Sequence, residues 1–177
     1  EFVESLGGKS GQLTIAPGSY FVNQIALPPD ASQQALWAVE QQTYLYQTLS
    51  ATLEPGMRYV LQVDTGDRAD LQFPDGVQIR LGYGSTPGKK LLAAESVLNP
   101  LPPDGGWTTW QSVFVTEDDP LGVGQPLRIE LVTGGHQALF DNVRLQAIPI
   151  PEPSALVLSV LALVAKLNNS LSATWML

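Results

Sequence analysis

Polar and apolar residues alternate with a period of two along much of this 177-residue chain. That spacing places the apolar side chains on one face of a β-strand. Turns rich in proline and glycine separate the alternating segments, as in Glu54-Pro55-Gly56 and Pro74-Asp75-Gly76. We therefore predict an all-β fold, an antiparallel β-sandwich (jelly roll) of about nine or ten strands. The clear segments are 59–63, 77–83, 127–132 and 139–145, and the less regular ones are 20–27, 43–50, 91–98 and 108–116.

One stretch before the C-terminal region departs from this pattern. Residues 31–42 lack the alternation and include several alanines, so a helical turn is expected there.

The composition excludes several kinds of site. A net charge of −8 argues against a nucleic-acid surface, which needs clustered lysine and arginine to replace counterions. The absence of cysteine excludes disulfides, thiolate metal sites and a cysteine nucleophile. The single histidine, His136, excludes a histidine-rich metal centre, and its Gly-Gly-His setting is typical of a turn.

The character of the chain changes after residue 147. Prolines at 149, 151 and 153 predict an extended linker over 148–154, because proline removes a hydrogen-bond donor and fixes φ. Ser154 is a good helix N-cap, and the apolar run 155–165 that follows is rich in leucine and alanine. We expect a sandwich domain over 1–147, this linker, and a C-terminal apolar helix with an atypical tail over 155–177.

The sequence Pro151-Glu152-Pro153-Ser154 before that apolar run resembles the PEP-CTERM sorting signal of exported proteins from Gram-negative bacteria that make exopolysaccharides. The resemblance implies export to the cell surface or extracellular matrix, processing by a sorting protease of the inner membrane, and transient membrane contact through the helix. The run has eleven residues, against the roughly 20 that span a bilayer, and Lys166 stands alone where the family has a basic cluster.

A second resemblance concerns the body of the chain, over about 28–154. The strand pattern Tyr46-Gln47-Thr48-Leu49 with its following turn, and the segment Phe140-Asp141-Asn142-Val143-Arg144-Leu145, are similar to a galactose-binding-like jelly roll of the carbohydrate-binding-module type. The first strand of that family is not visible, and Phe2-Val3-Glu4 is the one candidate remnant.

Asp141 is the residue whose position needs an explanation. Its parity matches Leu139, Val143 and Leu145, so if those side chains face the core its carboxylate does too, and a buried carboxylate needs a cation or several donors. The resemblance implies a structural Ca²⁺ ligand, which suits carboxylate oxygens. The alternative is that Asp141 accepts backbone N–H bonds or lies at a β-bulge.

Aromatic side chains offer a second candidate site, because they stack on sugar rings. Trp107, Tyr83 and Tyr46 are the candidates for such a platform, with packing in the core as the alternative. Trp107 and Trp110 are expected to point to different sides of their strand. The segment Asp64-Thr65-Gly66-Asp67 ends a strand and enters a loop, where jelly-roll domains place binding residues, but pairing of a neighbouring aspartate with Arg68 is the expectation. Glu117-Asp118-Asp119 is expected to form a solvated turn.

The sequence contains no nucleophile elbow, phosphate loop or dinucleotide fingerprint, so it predicts a protein that is not an enzyme. The predicted function is that of an exported surface or matrix protein, structural or weakly glycan-binding, with a polysaccharide as partner. The alternatives are a calcium-dependent carbohydrate-binding module and a hydrolase of matrix polysaccharide.

Overall fold

The computed structural model describes residues 4–6, 9–14, 24–30, 34–39, 43–96, 100–116, 121–135 and 137–151. These residues form ten β-strands in two five-stranded antiparallel sheets, which confirms the predicted β-sandwich. Sheet A has the order β1-β4-β9-β6-β7, and sheet B has the order β2-β3-β10-β5-β8.

The seven strands from residue 43 onward follow the predicted alternation. Sheet A consists of β1 (Glu4–Leu6), β4 (Thr43–Thr52), β6 (Gln78–Tyr83), β7 (Leu91–Ser96) and β9 (Pro126–Thr133). Sheet B consists of β2 (Lys9–Thr14), β3 (Gln34–Val39), β5 (Met57–Gly66), β8 (Trp107–Val115) and β10 (Ala138–Pro149).

The main core lies between the two sheets. Alternate residues of the central strands β5, β6 and β9 point into it, as the period-two pattern predicts. They are buried nearly completely: Tyr59, Leu61, Val63, Ile79, Leu81, Leu127, Ile129 and Leu131.

Three segments differ from the sequence-based expectation. Residues 34–39 form β3 rather than a helical turn, because pairing with both β2 and β10 outweighs the helix propensity of their alanines. Strands β1 and β2 are present, so Glu4 opens a real strand. In the segment 20–27, residues 24–27 form no strand, and 20–23 lie outside the described residues.

Strand β10 also extends into the predicted linker, since Ile148 and Pro149 pair with Arg58 and Met57 of β5. Proline is tolerated at this position because it is the last residue of the strand. The apolar run 155–165 and the tail lie outside the described residues. No helix long and apolar enough to cross a membrane occurs in the portions of the chain that the structure describes.

The outer face of sheet A is covered by the loop between β6 and β7. Two charged residues of β9, Arg128 and Glu130, are fully buried beneath it, and the Arg128 Nε donates to Glu130 Oε1 at 2.7 Å. The backbone N–H of Gly88 donates to the same oxygen at 2.8 Å. This pairing balances two buried charges that would otherwise be costly and fixes the loop on the sheet.

Candidate functional site

The outer face of sheet B carries a row of aromatic and apolar residues. Trp37, Leu139, Gly66 and Trp107 are cross-strand neighbours in succession from β3 to β8. Three of them form a small apolar cluster outside the main core together with Ile25 and Ala35: Trp37, Leu139 and Trp107. Leu139 is fully buried in it, whereas the two tryptophans keep part of their surface exposed.

The segment 24–30 closes this row on its outer side. The Trp107 Nε1–H donates to the Ala26 carbonyl at 2.9 Å, and the Ala26 and Ala69 N–H groups bond across to Gly105 and Gln24. The lack of a side chain at Gly66 leaves room for Ile25 and Trp107, because a Cβ there would lie 2.7 Å from Ile25 Cδ1 and 2.9 Å from the Trp107 ring.

An acidic row lies beside the aromatic row, two residues further along each strand on the same face of the sheet. Asp64 of β5 is the cross-strand neighbour of Asp141 on β10 and of Thr109 on β8. Asp64 is fully buried, and its two oxygens accept hydrogen bonds from Thr109 Oγ1 at 2.5 Å and Asn142 Nδ2 at 2.9 Å. We call the two rows together the acid–aromatic face: Trp37, Leu139, Gly66, Trp107, Asp141, Asp64 and Thr109.

A third carboxyl group, that of Asp67, follows Gly66 directly. Its backbone N–H donates to Gly106 O at 3.0 Å, next to Trp107, and its side chain is 4% exposed. Its Oδ1 atom is buried and has no hydrogen-bond partner among the described residues. Burial, and after it the negative charge of Asp104, raises the pKa of Asp67 from 3.8 to about 6, against a backbone hydrogen bond from Arg68 that lowers it.

Arg68 fixes the loop that holds Asp67. Its guanidinium makes two bonds to the Asp70 carboxylate, at 2.9 and 2.6 Å, and one to Gln137 Oε1 at 2.5 Å. The predicted pairing of Arg68 with a neighbouring aspartate is therefore confirmed. Because Arg68 is largely buried, this fork ties the loop after β5 to the loop before β10.

The structure confirms the alternative that Asp141 lies at a β-bulge, and the bulge overturns the parity argument. A β-bulge lies between Asp141 and Arg144, where Asn142 adopts a left-handed φ of 48°. Leu139 therefore faces the outer cluster, while Val143 and Leu145 pack on the main core. Asp141 keeps the parity of Leu139, so it is half-buried on the outer face rather than enclosed between the sheets.

The three aromatic candidates do not come together. Trp107 belongs to sheet B, whereas Tyr46 and Tyr83 belong to sheet A. Tyr83 is at the opposite end of the sandwich, packed on the core near Lys90. As expected, Trp107 and Trp110 face opposite sides, since Trp110 packs on the main core.

Other predicted site residues receive no structural test. His136, the triplet 117–119 and the motif residues Glu152, Pro153 and Ser154 lie outside the described residues, and Pro151 is exposed. Within the described ranges, no three residues among histidine, cysteine, aspartate and glutamate form a cluster that could hold a metal ion.

Sequence reasoning missed Trp37 as part of a site. It placed Asp64 and Asp67 where a strand enters a loop, but favoured ion pairing with Arg68 over a functional role. The available signal for Asp67 was its place directly after a strand that ends in glycine, in the kind of loop that carries function. For Trp37 there was no local signal, because its neighbours Leu139 and Trp107 come from distant strands.

Comparisons with known proteins agree with this architecture. The family model of the HpiC1-like cyclases, described as HpiC1 cyclase, matches residues 3–146. The chain belongs to the HpiC1-like cyclase family. None of the curated proteins is significantly similar to it.

Solved structures of cyclases from Fischerella sp. TAU share the fold. The Stig cyclase Fisc, in complex with (3Z)-3-(1-methyl-2-pyrrolidinylidene)-3H-indole, is 25% identical with a TM-score of 0.68, over 81% of this chain and 77% of that one. A cyclase in complex with 4-(1H-indol-3-yl)butan-2-one is 25% identical with a TM-score of 0.69, over 82% and 77% of the two chains.

These findings correct the functional interpretation of the sequence. The prediction that the chain is not an enzyme is wrong, and so is the predicted function of a structural or glycan-binding surface protein, because the family and the similar structures are cyclases. Two carbohydrate-binding modules also match, at 12–13% identity and TM-scores of 0.45 and 0.49. Similarity that weak carries no functional argument.

Proposed function

We propose that this protein is a cyclase that closes a ring on an indole-bearing substrate at the acid–aromatic face. The observation that carries the proposal is the family match over 3–146, together with similar cyclases whose structures hold indole-bearing molecules. The acid–aromatic face suits such a substrate because it places partly exposed tryptophan rings beside carboxylates.

The tryptophans serve binding and charge stabilisation. An indole ring can stack against the exposed parts of Trp37 and Trp107, and the face of an aromatic ring also attracts a cation. If cyclisation passes through a carbocation, both tryptophan rings therefore stabilise that cation. The half-buried Asp141 lies on the same face and would stabilise the positive charge as it develops.

Asp67 is the proposed proton donor, because it directly follows Gly66 of the acid–aromatic face and its backbone N–H donates to Gly106 O, next to Trp107. A carboxyl group with a pKa near 6 still carries a proton in a useful fraction of molecules near neutral pH. In the proposed reaction Asp67 transfers a proton to a carbon–carbon double bond of the substrate and becomes a carboxylate. An electron-rich ring carbon attacks the resulting cation to form the new bond. Water then accepts a proton from the ring and Asp67 takes a proton back from the solvent, so that the product is an isomer of the substrate and the acid is restored.

The test is cyclisation of an indole that carries an unsaturated side chain, carried out in D₂O. The proposal predicts a cyclised product that contains one deuterium at the carbon that received the proton. Asp67→Asn should reduce kcat by roughly 10²–10⁴-fold. Asp141→Asn should lower kcat without moving the pH profile, since its role is electrostatic.

The control variant is Asp70→Asn, which changes a carboxylate of the same loop that is committed to Arg68. If Asp70→Asn and Asp67→Asn lose the same activity, the effect is on loop structure and Asp67 is not the donor. Turnover with no deuterium in the product would contradict a proton-initiated ring closure.

Calcium binding at Asp141 remains a proposal. What supports it is the neighbouring carboxylate of Asp64, and Ca²⁺ prefers such oxygen ligands. Thermal unfolding with EDTA and then with excess Ca²⁺ tests it. An Asp141→Ala variant that keeps the full calcium-dependent rise in Tm would exclude this residue as a ligand.

Export also remains a proposal, supported by the sequence Pro151-Glu152-Pro153-Ser154 and its resemblance to the PEP-CTERM signal. The predicted partners, a sorting protease of the inner membrane, the membrane itself and a polysaccharide, belong to the same proposal. Fractionation of cells that express the chain with Glu152→Ala should show a changed distribution between the cells and the medium. Unchanged distribution would contradict a sorting role for the motif.

A further inference from the structure

A depression of ≈ 480 Å³ lies at the end of the sandwich opposite the acid–aromatic face. The loop between β6 and β7 forms most of it, and Gln125 closes one side. The residues that shape it include Tyr83, Ser85, Thr86, Lys89 and Lys90. None of them takes part in the proposed cyclisation.

The depression is positively charged, whereas the chain as a whole is negative. The protein has a net charge of −8, and two of its four lysines, Lys89 and Lys90, line this one depression. Its lining contains no aspartate or glutamate. Among the described residues, neither lysine forms an ion pair, so both ammonium groups are available to an anion.

The buried Arg128 holds the β6–β7 loop in place from its inner side. Its guanidinium donates to the carbonyl oxygens of Tyr83 at 2.9 Å, of Lys89 at 2.5 Å, and of Gly84. Three backbone acceptors that would repel an anion are therefore engaged by a cation. Glu130, which lies beneath the loop, is paired with Arg128 and with Arg80, so its charge is largely neutralised.

The geometry of the loop also holds one ammonium group in place. Lys90 has a left-handed φ of 50°, and its carbonyl accepts the Tyr83 N–H at 3.1 Å. Its Nζ stands 5.5 Å from the centre of the Tyr83 ring, a cation–π distance. An ammonium group held in this way loses less conformational entropy when it binds a ligand.

We propose that this depression is a binding site for a small tetrahedral oxyanion, either free phosphate or the phosphate group of a monoester. Lys89 and Lys90 supply the charge, and the hydroxyls of Ser85 and Thr86 and the amide of Gln125 can donate hydrogen bonds to the oxygens. The site is separate from the acid–aromatic face, so it holds or fails independently of the proposed cyclase activity.

The experiment is a titration of the ¹⁵N-labelled full chain with inorganic phosphate at constant ionic strength, followed by two-dimensional NMR. A second titration uses methyl phosphate, and the tighter of the two anions identifies the source of the phosphate group. The proposal predicts saturable shifts at the amides of the β6–β7 loop and at the Gln125 side chain. The double variant K89Q/K90Q should weaken binding at least about tenfold.

The matched control is R58Q/R144Q, which removes the same charge from two exposed arginines of sheet B. This control should change the Kd by no more than about twofold, because its charges are distant and screened. An equal loss of binding in both double variants would show attraction by general charge alone and overturn the proposal. The absence of any saturable shift with either anion would overturn it as well.

Discussion

Replacing Asp67 with asparagine should change the pH dependence of stability. In the folded protein the pKa of Asp67 is raised from 3.8 to about 6, first by burial and second by Asp104. Between these two values the folded state holds a proton that the unfolded state has released, so the free energy of unfolding falls as pH rises. Above about pH 6 the carboxylate is charged in both states, and the whole cost of burying that charge remains.

The size of the effect follows from the shift. A change of about 2 pKa units at 1.36 kcal/mol each corresponds to about 3 kcal/mol. Asparagine is neutral at every pH, but its buried amide costs about 1 kcal/mol if it lacks partners. Asp67→Asn should therefore be more stable than wild type by about 2 kcal/mol at pH 8, and equal or slightly less stable at pH 4.

The assay is unfolding by guanidinium chloride at intervals between pH 4 and pH 8, for wild type and variant. Asp104→Asn should give a smaller gain in the same direction, because it removes only the second cause of the raised pKa. A stability difference between Asp67→Asn and wild type that does not change with pH would refute the reasoning. A variant that is less stable at pH 8 would refute it too.

Further predictions concern catalysis and packing. Cyclisation should slow as pH rises through about 6, where Asp67 loses its proton, and Asp104→Asn should move this decline to lower pH, which a profile of kcat against pH measures. Gly66→Ala should cost about 1–3 kcal/mol of stability in urea unfolding and shift the tryptophan emission, because its Cβ would collide with the rigid ring of Trp107. Arg128→Met should cost about 3–5 kcal/mol, since it leaves Glu130 buried without its closest partner; R128M/E130Q should recover part of that loss.

The sandwich was predictable because each central strand buries one face, and because turns separate the strands at regular intervals. Segments such as 59–63 and 127–132 alternate clearly, and both place alternate apolar residues in the core. The strand β3 was harder, since its stability comes from partners on both sides rather than from its own composition. Local propensity gives little information on such a strand.

The bulge in β10, one of the alternatives that the sequence left open for Asp141, explains why this residue does not share the orientation of Val143 and Leu145. Alternation assumes an unbroken strand, and the extra residue near Asn142 reverses the face of everything after it. Leu139 and Leu145 therefore have the same parity in the sequence but lie in different clusters. The sequence contains no glycine there to signal the break.

The enzymatic character was not visible in the sequence because the proposed site has no local motif. Trp37, Asp64, Trp107 and Asp141 come from four different strands, and only sheet B brings them into two adjacent rows. Asp67 acquires its raised pKa from burial and from Asp104, and both causes are properties of the folded loops. Sequence motifs exist for catalytic nucleophiles and cofactor-binding folds, but not for a site whose residues are brought together only by folding.

The central claim is that an indole-bearing substrate binds at the acid–aromatic face. It is tested most directly by titrating the ¹⁵N-labelled protein with 4-(1H-indol-3-yl)butan-2-one and following the indole N–H signals of the tryptophans. We expect saturable shifts for Trp37 and Trp107, which belong to that face, and none for Trp110, which faces the main core. Shifts at Trp110 alone, or no shift at Trp37 and Trp107 at saturating ligand, would contradict the proposed location of the active site.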